Sequence, residues 1–390
     1  MMSEKETSLV FTGDLGFDKY MAGKWTDEEL LSKEIKEFLR SGDHLIVNVE
    51  GPLSDGKRNT SLDPAAAKLI HSMDPAVADF LVKNGADIWN ICNNHIMDAG
   101  PEGLSDTLAI AKEKNVKTIG AGMNLSEAMA PIILNEAGGI GMFGVGYQRA
   151  CRKAGDDTAG CFSWSDMENI KRTIEEIKKT CRWCIVVAHG GEEFTSLPNR
   201  YVRKRYMDYL SMGADIVVAH HPHVPMNYET FPGKAVFYSL GNFIFDTDYQ
   251  RSQFNTEFGI LLKLNFTKEE FTFDASGLKI DRDREKVVRS ELPDIFTDVC
   301  EEEYEKLEPL AAKQFIEATK RQLKYMKPDK FNNATEEDFK ENFYEPLRSG
   351  RVPGEVLDMQ IVYPISLLAD EGKWKESKLE AVKKYILDQI

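Results

Sequence analysis

The sequence predicts an α/β fold in which helices cover a largely parallel sheet. Over the first 265 residues, short apolar segments typical of buried strands alternate with amphipathic segments typical of helices. Several of these apolar segments end in Asp, Glu, Asn or His, and open α/β sheets bind their ligands at the carboxyl ends of the strands. The chain has 390 residues, which favours one large domain with an appended segment.

In chain order, the elements begin with a strand at residues 9–12 and a helix that runs to about Arg40. This helix is predicted to begin at Thr26-Asp27-Glu28-Glu29, because a Thr followed three residues later by Glu forms a capping box. A second capping box, Ser165-Asp166-Met167-Glu168, predicts a helix that runs to about Lys179. The other predicted strands are residues 45–49, 87–91, 185–188, 216–219 and 235–239, and the other predicted helices are residues 75–83 and 104–114.

The character of the sequence changes beyond residue 266. Three segments, residues 259–266, 271–273 and 277–281, are expected to be antiparallel strands that finish the core. From Leu292 onward the chain becomes helical and charged, and it contains no histidine that could bind a metal. The predicted units are therefore a core domain at residues 8–285 and a helical extension at residues 286–390 that packs on it.

Composition and charge exclude several classes of function. The net charge is −15, from 49 basic and 64 acidic residues, and no basic stripe is present that could neutralise nucleic-acid or membrane phosphates. No segment approaches the roughly 20 apolar residues that span a bilayer. The amino terminus lacks the basic start and apolar run of a signal peptide. Together with six scattered cysteines typical of reduced thiols, these features predict a cytoplasmic protein without a membrane span.

A cluster of histidines indicates a metal site. His220-His221-Pro222-His223 ends the apolar segment at residues 214–219, and the chain contains only seven histidines. Imidazole is the commonest metal ligand among side chains, and it also transfers protons near neutral pH. A strand that ends in this cluster delivers its imidazoles to one edge of a sheet.

Five further motifs place polar residues where predicted strands end. Taken singly, each motif has an ordinary structural explanation, since an aspartate after a strand often caps a turn. Taken together, they supply the carboxylate, amide and imidazole donors that bind Mn, Fe, Zn or Mg, so we favour a shared metal site over separate structural roles. The motifs are Gly13-Asp14, Asn48-Val49-Glu50, Asn93-Asn94-His95 with Asp98, His189-Gly190-Gly191, and Ser239 to Asp246.

The ordered motifs GD, NxE, NNHxxD, HxG, HHPH and SLGNFxFD resemble those of the bacterial CapA, or poly-γ-glutamate capsule synthesis (PGA_cap), family. That family belongs to the calcineurin-like metallophosphoesterase superfamily. The resemblance covers residues 9–246 and implies a four-layer αββα metallophosphoesterase-like sandwich, to which the helical carboxyl-terminal extension is appended.

The resemblance also assigns roles to individual residues. It implies that one or two divalent ions are bound, that His95 protonates the leaving group and that Asp98 orients His95. His220 and Asn48 are expected to hold ligands in place without touching the ion. The implied metal ligands are Asp14, Glu50, Asn94, His189, His221 and His223.

The sequence departs from the superfamily pattern at two positions. Gly16 stands where the usual DxH motif has a histidine, so one ion loses a ligand. The bridging carboxylate, Glu50, lies in Asn48-Val49-Glu50 and not in a GD motif.

The resemblance implies a metal-dependent hydrolase of the capsule polymer poly-γ-glutamate or of a related anionic molecule, acting on a phosphoester or a γ-glutamyl amide. A capsule or polyglutamate synthase is the implied partner. Arg200, Asn242 and Asp246 are candidate substrate contacts, although a solvated helix position is slightly favoured for Arg200. The alternative is a non-catalytic module that binds polymer or a synthase and keeps a vestigial metal site. Gly16 favours that alternative, whereas the pair His95 and Asp98 opposes it.

Overall fold

Two β-sheets packed face to face form the centre of this computed structural model, which describes residues 6–55, 70–146, 151–326, 328–335 and 338. The strands are β1 (Thr7–Gly16), β2 (His44–Val49), β3 (Ala86–Asn90), β4 (Lys117–Ile119), β5 (Ala121–Gly122), β6 (Ile132–Leu134), β7 (Ile140–Gly146), β8 (Gly160–Cys161), β9 (Trp183–His189), β10 (Ile216–His220), β11 (Tyr228–Phe231), β12 (Lys234–Phe237), β13 (Asn242–Phe245), β14 (Phe258–Phe266), β15 (Phe271–Asp281) and β16 (Lys286–Ser290).

The larger sheet has the order β16-β15-β14-β1-β2-β3-β4, with β13 also paired to β1. Strands β1 to β4 run parallel, whereas β14, β15 and β16 are antiparallel. The smaller sheet has the order β11-β12-β10-β9-β7-β6, and β5 pairs with β8 in a separate ribbon. The helices of the described residues are α1 (Lys33–Leu39), α2 (Val77–Lys83), α3 (Gly100–Glu113), α4 (Leu125–Ala128), α5 (Met167–Thr180), α6 (Arg200–Ser211), α7 (Asp248–Arg251), α8 (Glu301–Met326) and α9 (Pro328–Phe331).

Both faces of both sheets are buried. One apolar cluster lies between the sheets and combines side chains of the larger sheet, such as Phe11 and Ile46, with Val187 and Val218 of the smaller sheet. A second cluster joins the outer face of the larger sheet to α1, α2 and α3, and a third joins the outer face of the smaller sheet to α5 and α6. Strands buried on both faces must be apolar throughout, which explains their continuous apolar sequences. The predicted αββα sandwich is confirmed.

The first predicted helix begins later than its capping box indicates. Thr26 ends a short 3₁₀ helix, and α1 begins only after Ser32, whose hydroxyl accepts from the amide of Ile35. The intervening residues first form a turn, in which the amide of Leu30 donates to the carbonyl of Asp27, and Leu31 then pairs with Val287 of β16. The amide of Ser32 donates to the carbonyl of Val287, and the amide of Val287 donates to the carbonyl of Leu30. Pairing with a distant strand therefore overrides the local signal.

The carboxyl-terminal part of the described chain packs on the core. β16 lies beyond residue 285, where the sequence placed the end of the core domain, and it pairs with β15, so the sheet continues to Ser290. Helix α8 then lies against the loop that follows β9. The Tyr304 hydroxyl donates to the carbonyl of Pro198 at 2.6 Å, and the side chain of Gln314 accepts from the amide of Ser196 at 2.9 Å.

Two further expectations concern membrane-spanning helices and the state of the cysteines. Among the described residues, we find no helix that is both long enough and apolar enough to cross a membrane. All six cysteines lie within the described residues, where none of them forms a disulfide, and Cys300 is the exposed one among them.

Candidate metal centre

Strands from both sheets end at one side of the sandwich, and their ends carry most of the predicted ligands. Asp14 lies near the end of β1, and Glu50 follows β2. In the smaller sheet, His189 and His220 end the neighbouring strands β9 and β10 and are paired with each other. The parallel pairing of strands thus brings together residues that are far apart in sequence.

The ligand atoms form three overlapping groups. In each group, one atom from every residue lies within 4.8 Å of the others. Glu50 belongs to two of the groups, and its Oε1 is 3.6 Å from the Nε2 of His189 and also 3.6 Å from the Nε2 of His223. Asn94 joins the group that contains His189, because its Oδ1 is 2.8 Å from the Nε2 of that histidine. The groups are Glu50 with His189 and His221, Asp14 with Glu50 and His223, and Glu193 with His221 and His223.

The two carboxylates at the centre are buried, and one of them has no hydrogen-bond partner. Both Asp14 and Glu50 are fully buried, and neither carboxylate oxygen of Glu50 has a hydrogen-bond partner. Burial, followed by the neighbouring charge of Asp14, raises the pKa of Glu50 well above its usual value. Burial also raises the pKa of Asp14 to about 7, although the amide of His221 and the side chain of Asn48 partly offset the effect. A divalent cation supplies the charge that such a pair lacks, so these residues fit a metal.

The surrounding histidines are held neutral. Burial lowers the pKa of His221 to about 3 and that of His220 to about 4, and it lowers the pKa values of His189 and His223 well below their usual value. A neutral imidazole keeps a lone pair for a metal ion. The backbone is also unusual here, with positive φ angles of 100° at His221 and 58° at His223. Such conformations are costly outside glycine, and they cluster at functional sites.

Several polar side chains fix the ligands from behind. The Nδ2 of Asn48 donates to Asp14 at 2.7 Å, and Asn90 in turn donates to the Oδ1 of Asn48 at 2.7 Å. The Nε2 of His220 is 2.9 Å from the carbonyl oxygen of Thr12, so this ring bonds to backbone. Asn48 thus contacts the candidate ligand Asp14, whereas His220 contacts the backbone of Thr12.

The predicted proton-transfer residues, His95 and Asp98, contact each other. The Nδ1 of His95 is 2.7 Å from the Oδ2 of Asp98. The pKa of His95 is lowered, first by burial and then by the nearby His71, while Asp98 acts in the opposite direction. The structure therefore brings together the predicted pair.

A second histidine–carboxylate pair, which the sequence did not indicate, adjoins the first. The Nδ1 of His71 bonds to Asp18, and the His71 amide donates to the same Oδ2 of Asp98 at 2.8 Å. The rings of His71 and His95 are perpendicular, with centroids 4.3 Å apart. Burial raises the pKa of Asp18, but the charge and hydrogen bond of His71 outweigh it, so the pKa is lowered overall. The scarcity of histidine was the signal that could have identified His71.

The three predicted substrate contacts are placed differently from one another. Asn242 is fully buried: its Oδ1 is 2.9 Å from the Nδ1 of His223, and its Nδ2 donates to Gln250 and to the carbonyl of Thr256. Asp246 is buried and pairs with Arg251 and Arg282. These contacts use the polar atoms of both residues and lend no support to a contact with substrate. Arg200 begins α6, but its side chain lies outside the described part of the structure.

Comparison with known proteins places the same part of the chain in a known context. Residues 8–247 match the family model described as bacterial capsule synthesis protein PGA_cap. The chain is 30% identical over 272 residues to the PGA biosynthesis protein CapA of Bacillus subtilis (strain 168), covering 68% of this chain and 70% of that protein. It is 28% identical over 229 residues to the capsule biosynthesis protein CapA of Bacillus anthracis, covering 57% of this chain and 55% of that protein.

A structural comparison adds little to these relationships. A crystal structure of a hypothetical protein from Thermus thermophilus aligns over 70% of this chain and 99% of its own, with 14% identity and a TM-score of 0.42. This likeness is too weak to support an argument about fold or chemistry. The matched segment of the family model, in contrast, spans every candidate ligand from Asp14 to His223.

Proposed function

The chain belongs to the bacterial capsule synthesis family PGA_cap, and from that premise we propose that it is a metal-dependent hydrolase in the metabolism of poly-γ-glutamate or a related capsule polymer. The observation that carries the proposal is Glu50, a fully buried carboxylate with two unpartnered oxygens between two groups of metal-binding atoms. Burying a carboxylate without a hydrogen bond is costly, and none of the described residues donates a hydrogen bond that would offset this cost.

The chain's own donors divide into two sets around Glu50. Asp14 and His223 share one group with Glu50, and His189 and His221 share the other, which Asn94 joins through His189. Carboxylate oxygens, an amide oxygen and imidazole nitrogens suit Mn²⁺, Fe²⁺, Zn²⁺ or Mg²⁺. A divalent cation bound there supplies Lewis-acid activation of water and of the bond to be cleaved.

His95 moves the proton in the proposed reaction. Its Nδ1 is engaged by Asp98, so the protonated ring would donate the proton on Nε2 to the leaving group and return to the neutral form that keeps its proton on Nδ1. Asp98 fixes the tautomer and the orientation of the ring. His71, paired with Asp18, packs against His95 and holds Asp98 through its backbone amide, so it positions the proton donor.

The proposed substrate is anionic, either a phosphoester or a γ-glutamyl amide. The superfamily resemblance favours the phosphoester, which is an argument from fold alone. The descriptions of the Bacillus relatives, a PGA biosynthesis protein and a capsule biosynthesis protein, favour the polymer of γ-linked glutamate. A capsule or polyglutamate synthase is the partner that those descriptions suggest.

A non-catalytic binding protein is the second candidate, and the surroundings of Gly16 favour it. A Cβ atom at this position would lie 2.5 Å from the ring of Phe245, so the packed structure has no room there for the histidine of a DxH motif. Such a module would keep its metal for structure and bind polymer or a synthase. The pairing of His95 with Asp98 favours catalysis, because a structural metal needs no adjacent proton donor.

The test combines metal analysis with a substrate screen. The purified full chain is loaded separately with Mn²⁺, Fe²⁺, Zn²⁺ and Mg²⁺, and retained metal is measured. Each form is then assayed with phosphomonoesters, phosphodiesters and γ-glutamyl amides. We expect retained metal and turnover that Asp14→Ala and His95→Ala abolish. The control is His44→Ala, since His44 pairs with Asp87 away from the metal groups. Protein that retains no divalent metal, or turnover that survives both substitutions, contradicts the proposal.

A further inference from the structure

Strand β1 contributes one candidate ligand, Asp14, and no second donor at Gly16. Gly16 is two residues beyond Asp14, and the ring of Phe245 fills the space that a side chain at this position would need. The same ring lies against His223, with centroids 4.9 Å apart, and is itself buried. The group formed by Asp14, Glu50 and His223 contains three protein ligands, so any further donor to a cation there comes from another segment or from water.

A loop from the smaller sheet approaches the same histidines. It follows β9 and carries Gly190-Gly191-Glu192-Glu193-Phe194. Its two ends are tied to the histidine loop by backbone hydrogen bonds: the amide of Gly190 donates to His220 at 3.0 Å, and the amide of Phe194 donates to Pro222 at 2.8 Å. Gly191, with a φ of 114°, supplies the turn between them. Glu193 is thereby fixed beside the histidine loop.

The carboxylate of Glu193 reaches two of the candidate ligands. One of its oxygens lies within 4.8 Å of ring nitrogens of His221 and His223, which are also within that distance of each other. The Tyr249 hydroxyl donates to its Oε2 at 3.1 Å and holds the side chain. The adjacent Phe194 stacks on His223, with ring centroids 6.0 Å apart and planes 23° apart. This packing encloses the group formed by Glu193 and the two histidines.

We propose that Glu193 is a metal ligand, and that its carboxylate compensates for the donor missing at Gly16. The proposal rests on the metal-dependent function proposed above and extends its ligand set. With Glu193, the centre contains three carboxylates beside the amide oxygen of Asn94 and the imidazoles. An oxygen-rich set of this kind favours harder cations such as Mn²⁺ and Mg²⁺ over Zn²⁺.

The test measures metal binding directly and needs no substrate. The metal-free full chain is titrated with Mn²⁺ by isothermal calorimetry, and the stoichiometry is checked by metal analysis after dialysis. Glu193→Gln keeps the size of the side chain and removes its charge. We expect it to weaken Mn²⁺ binding by at least about tenfold, since even residues that only support ligands contribute about 10–100-fold. The matched control is Glu192→Gln, on the same loop but in none of the three metal groups, and it should bind within about twofold of wild type.

Two further measurements separate ligation from a general charge effect. The visible spectrum of the Co²⁺-loaded protein should change in Glu193→Gln and stay unchanged in Glu192→Gln, because it reports the ligands of the ion. Circular dichroism shows that the variants are folded. Wild-type Mn²⁺ affinity or an unchanged Co²⁺ spectrum in Glu193→Gln overturns the proposal, as do equal losses in both variants. If wild type itself binds no divalent metal, the proposed function fails together with this inference. If wild type binds Mn²⁺ and Glu193→Gln binds it equally well, only this inference fails.

Discussion

The two halves of the candidate site differ in how their charges are compensated. On the metal side, Glu50 is buried with both carboxylate oxygens unpartnered. On the proton-transfer side, each imidazole has its own carboxylate, since His95 pairs with Asp98 and His71 pairs with Asp18. The two histidine–carboxylate pairs are complete within the protein, whereas the proposed metal half would be completed by an added cation. For this reason, neutralising a carboxylate should raise the free energy of unfolding of the metal-free protein in the metal half and lower the free energy of unfolding in the proton-transfer half.

The largest expected effect is on turnover, from the proton-transfer half. His95→Ala should lower turnover of the substrate found by the screen by about 10²–10⁴-fold, the usual contribution of a general acid. Its metal affinity should stay within about twofold of wild type, because His95 is in none of the three metal groups. Calorimetry with Mn²⁺ and steady-state kinetics provide the two measurements. A large loss of affinity would show that the two halves are not separable.

The next effect is on metal binding, from Glu50. Glu50→Gln should weaken Mn²⁺ binding by more than about 100-fold, because it removes a ligand common to two groups. It should also raise the free energy of unfolding of the metal-free protein at neutral pH by about 1–3 kcal/mol, because burial raises the pKa of Glu50 and the folded protein must take up a proton that glutamine does not need. Urea unfolding without metal measures the second quantity. A metal-free variant less stable than wild type would contradict our account of Glu50.

A smaller effect is expected from Asn242, which holds His223 from behind. Asn242→Ala should weaken Mn²⁺ binding by about 10–100-fold, as is usual when a residue that orients a ligand is removed. Asn265→Ala is the control, because Asn265 is half-buried and bonds to Asp274 on the larger sheet. Unchanged metal affinity with a raised KM would instead favour the contact with substrate that the sequence predicted.

The smallest effect is expected from Asp18. Asp18→Asn should lower the free energy of unfolding by about 1–3 kcal/mol and leave Mn²⁺ affinity within about twofold. Because the pKa of Asp18 is lowered in the folded protein, its stabilisation is present above the usual pKa of 3.8 and is lost as the pH falls below that value. The difference between variant and wild type, measured by urea unfolding at several pH values, should therefore shrink in acid. A difference that persists in acid would contradict the charge-based account.

The fold and the metal groups were largely predictable because they depend on local patterns. Apolar segments identified the strands, and the polar residues that end them identified Asp14, Glu50 and His189, since parallel strands end at the same edge. The family and the αββα fold were predicted from the same motifs and are confirmed. The site roles themselves stay predictions.

The remaining features depend on contacts between distant residues. His71 and Asp18 end no predicted strand, and they are 53 positions apart along the chain, so no pattern joins them. The predicted start of the first helix was wrong because β16 pairs with the residues just before α1. Asp246 lies in a recognisable motif, but its role depends on an ion pair with Arg282. Nothing in the sequence indicates that these two residues are neighbours.

The packing of α8 against the loop after β9 has a thermodynamic consequence. Gln314 and Tyr304 bond to backbone atoms of Ser196 and Pro198, close to Phe194, which stacks on His223. If docking of this helix favours the arrangement that binds the cation, the cation must favour docking by the same coupling free energy. Docking of α8 and binding of the ion then each strengthen the other through the loop after β9. Under that condition, anything that displaces the helix lowers the affinity of the proposed centre for a cation.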